Sequence, residues 1–186
     1  MMIDRYPSVQ FAGENHMITL FDDHGAACAC ASLWRASYSP VGCGTALFLW
    51  YGDRRVLLTD APALACHVRD RFNQYFAGFA ERDFGAIIPT IGQVAITTGQ
   101  PTPWRASWRS AGGTVELWWD GIFEAALERF DNTSGPQRYA VSAVISNCRA
   151  AGIAVDGQPL AGTIGVPAGE SLSSGFLAFS ETWCDA

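Results

Sequence analysis

Apolar positions recur along the chain at two spacings, and they divide it into short elements. Residues 16–21, 26–38, 45–51 and 54–59 alternate or run apolar between turn signals and read as strands. Asp22-Asp23-His24-Gly25 supplies the first turn, and Gly52-Asp53 sets a two-residue hairpin between the third and fourth strands. A helix is expected over about 60–77. Asp60 is placed to cap it, Pro62 falls in its first turn, and Leu64, Val68, Phe72, Tyr75 and Phe76 make one apolar stripe. Arg69, Asp70 and Asn73 lie opposite, and Gly78 marks the end.

Residues 86–98 read as a strand interrupted at Pro89, which belongs at an edge, a bulge or a strand start. A loop at 100–103 leads into a hairpin, Trp104–Ser110 and Thr114–Trp119. With Gly112-Gly113 as its turn, Arg109 faces Glu116 and Arg105 faces Asp120 on one side, while Trp108 meets Leu117 and Ala106 meets Trp119 on the other. Phe123, Ala126, Leu127 and Phe130 have the spacing of a short helix over about 122–130. A polar loop at 131–136, a strand at 138–147, a Gly- and Pro-rich stretch at 151–169 turning at Asp156-Gly157, and a closing strand at 172–183 complete the pattern. Gly175 is the expected bulge of that last strand.

Many strands with little regular helix alternation predict an α+β protein. Its architecture is read as a curved antiparallel sheet or open β-barrel with one main helix. Residues 1–186 read as a single domain. Within it, Trp34-Arg35-Ala36-Ser37-Tyr38 and Trp104-Arg105-Ala106-Ser107-Trp108 share four identities. That likeness suggests two related hairpin-plus-helix units, about 34–77 and 104–130.

Composition narrows the chemistry. All twelve basic residues are arginine, and the net charge is -6. Without lysine there is no Walker-type phosphate loop, no Schiff base and no kinase ion pair. The acidic balance argues against nucleic acid as a partner. No apolar run has the length of a membrane span, and the first ten residues lack the apolar core of a secretion signal. A cytoplasmic location with no membrane partner is therefore expected. Six cysteines form no C-x-x-C pair and are read as small buried hydrophobes, with no metal and no cofactor expected. Cys28 and Cys30 should share one strand face. Asn132-Thr133-Ser134 matches a glycosylation sequon, which carries no weight without a secretion signal.

Catalytic patterns are sparse. There is no G-x-S-x-G elbow and no dinucleotide fingerprint. Gly169-Glu170-Ser171 and Ser173-Ser174-Gly175 read as loop and strand residues. Only three histidines occur, and adjacent Cys66 and His67 point about 100° apart on a helix, a poor dyad. An enzyme would be a hydrolase or isomerase using His67 or His16 with an acidic partner. The heaviest constellation is aromatic: Trp34, Trp50, Trp104, Trp108 and Trp119 fall on the two hairpins. Lining one cavity, with Arg35 at its rim for an anionic group, they would suit a small apolar or aromatic molecule. The strand-rich plan with Trp-lined hairpins resembles lipocalin-type ligand carriers, a likeness of architecture alone that says little about function. The surplus of apolar residues also suits a homodimer.

Overall fold

The computed structural model describes residues 8–98, 103–132, 137–165 and 173–186. Among the described residues thirteen strands form two sheets. Strands β1 (Val9–Phe21), β2 (Ala27–Tyr38), β3 (Gly44–Tyr51) and β4 (Arg54–Thr59) form an antiparallel meander. The short β5 (Thr90–Ile91) pairs parallel with β4 at one edge. On the other side of β1 lie β13 (Gly175–Asp185), β10 (Tyr139–Asn147) and β9 (Phe123–Asn132), giving the order β5-β4-β3-β2-β1-β13-β10-β9. The second sheet runs β12-β11-β8-β7-β6, from Gln158–Pro159, Ala150–Val155, Gly113–Asp120, Trp104–Ser110 and Gln93–Thr97.

The large sheet is covered on both faces. One face packs on helix α1 (Pro62–Arg71), a following 3-10 turn (Asn73–Tyr75) and the four-residue α2 (Ala77–Ala80). Leu64, Val68 and Phe72, the expected stripe, are fully buried there against Phe11, Trp34, Phe48 and Trp183. The other face packs on the small sheet, with Ile18, Leu33, Leu47 and Leu49 against Trp104, Trp108, Leu117 and Trp119. The result is a helix layer and two sheet layers around two main cores, with a small third cluster of Ala143, Ile145 and Ala178. It contains no closed barrel, because both sheets have ends that do not meet among the described residues. No described helix is long and apolar enough to cross a membrane.

Several expectations need correction. Residues 123–132 are a strand, not a short helix. Their helix-like spacing is overridden by a nine-rung pairing with β10, a tertiary effect that local propensity cannot foresee. The second hairpin turns at Ala111-Gly112 instead of Gly112-Gly113, so Arg105 faces Trp118 and Arg109 faces Thr114, and neither expected ion pair forms. The inward set is unchanged, because a two-residue slip keeps every side chain on its face. Gly113 stays in the ladder at φ 125°, where a Cβ would collide with the Asp156 carboxylate that accepts from Thr114 N–H at 2.8 Å.

Asp60 does not cap α1. Its carboxylate accepts from Thr45 N–H at 2.6 Å, and Thr59 Oγ1 accepts from Ala61 N–H instead. Gly78 lies inside α2, where its missing side chain admits the Cys30 thiol and its carbonyl accepts from Trp50 Nε1 at 2.6 Å. The bulge of β13 is at Ser180, φ 51°, and not at Gly175, which packs instead against Cys148 and Ala151. A register shift near Leu20 also separates Cys28 from Cys30, which pack against different cores. Most of the loops expected at 100–103 and 131–136, most of the sequon, and Gly169-Glu170-Ser171 lie outside the described residues.

Candidate functional site

The five tryptophans do not line one cavity. All are buried, but Trp34 and Trp50 belong to the helix-side core, whereas Trp104, Trp108 and Trp119 belong to the core between the sheets. The large sheet stands between the two groups. Trp34 stacks on Phe72 with centroids 5.9 Å apart, and Trp104 meets Trp119 edge-on at 5.1 Å. These contacts are packing. Trp34 and Trp104, matched by the internal likeness, thus face different layers. Trp34 also pairs across its hairpin with Ala46, while Trp104 pairs with Trp119.

Arg35 has a different setting. The intersheet face of β1 and β2 carries Ile18, His16, Ala31 and Leu33 under the small sheet. Beyond His16 the same face continues to Glu14 and Arg35, past the end of the cover given by Trp104 and Trp119. An open cleft of about 610 Å³ lies there, lined by Glu14, Arg35, Ser37, Thr45, Ser180 and Thr182 among others. Irregularities in both flanking strands shape it. Register shifts interrupt β1 at Ala12–Asn15, and Ser180 takes a left-handed backbone in β13.

Gly13 is required at this point. A Cβ there would overlap the Arg35 carbonyl oxygen, a backbone atom that cannot swing aside. Gly13→Ala is expected to cost about 1–3 kcal/mol by forcing β1 from β2. Chemical denaturation measures it, and an unchanged midpoint would contradict this account of the bulge.

A chain of polar groups runs from the cleft into the core. Arg35 Nη1 donates to Glu14 Oε2 at 2.6 Å, and His16 Nε2 lies 3.3 Å from the same oxygen. Arg35 is 39% exposed, whereas His16 is sealed by Trp104, Trp119 and Phe179. The His16 ring, and after it the Arg35 charge, hold Glu14 below the usual carboxylate range against the opposing effect of burial. Burial pushes His16 below its ordinary value, so the ring is neutral. The expected partnership of His16 with an acid is present, but the ring has no access to the cleft.

His67 is half-buried, with Nε2 at 3.1 Å from the Gln10 carbonyl and its ring edge-on to Phe72. Burial lowers its pKa as well. His24 sits exposed in the first turn. No histidine lines a described cleft.

A second acid lies close in sequence register but on the other face. Glu181 is buried, and its Oε1 accepts from Trp183 Nε1 at 2.6 Å within the helix-side core. Asn15 lies beside it and accepts from Ser32 Oγ at 3.0 Å, although Asn15 Nδ2 makes no well-formed hydrogen bond. Burial pushes the Glu181 carboxyl up to about 8, so it is mainly protonated at pH 7. Glu14 and Glu181 both line the open cleft but differ in charge state, and the Glu181 carboxyl is turned toward Trp183 in the helix-side core.

Among the described residues no three His, Cys, Asp or Glu side chains converge as metal ligands do. Burial pushes the Cys30 and Cys148 thiols up to about 12, which makes them inert packing groups. Comparison with family models, curated proteins and solved structures gives no match.

The sequence pattern named Arg35 but missed Glu14 and Glu181. Glu14 could have been found from its i, i+2 spacing to His16, which places both on one strand face. Glu181 could not, because counting inward positions from Leu177 and Phe179 puts it on the wrong face unless the Ser180 bulge is known.

Proposed function

We propose that this protein binds a small molecule bearing a carboxylate in the open cleft, with Arg35 as the anchor. One observation carries this reading. Arg35 is fixed in the open cleft through Nη1 alone, and its Nε and Nη2 have no partner among the described residues. A guanidinium held in this way offers a pre-oriented fork for two carboxylate oxygens. Ser37, Thr45, Ser180 and Thr182 give the cleft hydroxyl groups for the remainder of such a ligand. Glu14, ionised and lying 3.3 Å from neutral His16, positions the anchor from beneath. The aromatic residues serve as the rigid frame instead of the ligand surface.

Calorimetric titration with acetate, succinate and benzoate tests the proposal. At least one is expected to bind, and Arg35→Met should weaken it about tenfold to a hundredfold, the worth of a charge-assisted contact. The variant should stay folded, since a half-exposed ion pair contributes only about 1 kcal/mol. Absence of binding by all three, or equal affinity in the variant, would overturn the assignment.

A further inference from the structure

Exposed large apolar side chains occur at both ends of the large sheet, Ile88 and Ile91 by β5 and a set of three on β9. Strand β9 ends the large sheet, and no strand pairs with its outer side among the described residues. It exposes Phe123, Leu127 (58%) and Phe130 (46%). A long edge strand carrying large apolar side chains is a template for another strand. We propose that β9 pairs antiparallel with β9 of a second copy of this chain, about a two-fold axis through Phe130.

Symmetry and charge narrow the register. A two-fold axis normal to the sheet sets a given residue against itself. Residues whose backbone groups point outward must meet others that do the same, so only registers centred on a residue are open. Centring on Glu128 sets two carboxylates together, centring on Arg129 sets two guanidinium groups together, and centring on Asp131 repeats the carboxylate clash. Centring on Ala126 places Glu124 against Glu128 of the second copy. Centring on Leu127, or nearer the strand start, needs regular backbone at Glu124. That residue has φ 48° and interrupts the ladder with β10.

Centring on Phe130 avoids all of these conflicts. The two Phe130 rings meet at the axis, and Arg129 faces Asp131 of the second copy on each side. Both groups are exposed, and neither has an ion pair within the chain among the described residues. The pairing would join two large sheets edge to edge. A contact this short belongs to the weak, concentration-dependent class.

Sedimentation analysis over a wide concentration range is combined with cysteine cross-linking. The native protein should dimerise reversibly. Arg129→Asp alone and Asp131→Arg alone should each weaken the dimer at least about tenfold, by placing like charges across the strands. The double exchange should restore it, a result that a general loss of folding or solubility would not give. Under mild oxidation Phe130→Cys should form a disulfide-linked dimer beyond the background of the native thiols, whereas Leu127→Cys should not. A monomer at every concentration would overturn the proposal. So would cross-linking through Leu127→Cys, or a double exchange that fails to rescue.

Discussion

Replacing Glu181 with Gln is expected to stabilise the protein strongly at pH 8 and hardly at all at pH 4. The native carboxyl holds its proton up to about pH 8, while the unfolded one loses it near its ordinary value of 4.5. Between these values the native state binds more protons, so stability falls as pH rises. The stabilising effect of the proton is complete below about 4.5 and is lost through about 8. A neutral amide still accepts from Trp183 Nε1 and removes the penalty. The expected gain at pH 8 is on the order of 3–5 kcal/mol, or on the order of 10 °C in Tm.

His16 has the opposite sign. It is neutral when folded, so its contribution is present above its ordinary value of 6.5 and is lost as pH falls below it. In the native protein the two slopes oppose each other just below about 6.5, and Glu181 acts alone from there to about 8. The Gln variant should therefore gain stability as pH rises toward 6.5 and then level off. Thermal melts across pH 4–9 read this directly. A gain of equal size at pH 4 and pH 8, or a loss at both, would show that the carboxyl is not held neutral.

The second large effect concerns the tryptophans as frame. Trp119→Ala should destabilise by about 3–5 kcal/mol, because it empties the centre of the intersheet core against Trp104 and His16. Phenylalanine replacements separate packing from hydrogen bonding. Trp119 Nε1 donates to the Met17 carbonyl at 3.0 Å, whereas Trp34 Nε1 is buried with no partner. Trp119→Phe should therefore lose a hydrogen bond, worth about 0.5–1.5 kcal/mol, that Trp34→Phe does not. Urea denaturation of the two variants tests the order. Near-native stability of Trp119→Ala would count against a purely structural role.

The physical reason for what could be read in the chain is periodicity. Alternation located β2, β3, β4, β10 and the inward faces of the β7–β8 hairpin, and the 3.6-residue stripe located α1. Features set by partners distant in the chain were not legible. The slip in the β7–β8 turn left the apolar faces intact, and exposed ion pairs are too weak to choose a register. Strand β9 carries helix-like spacing because no core selects its pattern. Most of it is exposed, and a pairing with β10 alone makes it a strand. The division of the tryptophans between two cores required the order of the strands, which no single segment encodes. Arg35 stood out only as a cation next to an aromatic residue. Its cleft exists because the five-stranded sheet is too small to cover the eight-stranded one.

The most direct test of the cleft assignment uses the arginine side chains themselves. Twelve arginines and no lysine give twelve Nε–H groups to follow by nitrogen–proton NMR during a titration with succinate or benzoate. The account predicts that the Arg35 signal shifts first and saturates, while those of exposed arginines such as Arg105 stay in place. Uniform small shifts across all twelve, or saturation at another arginine with Arg35 unmoved, would contradict it.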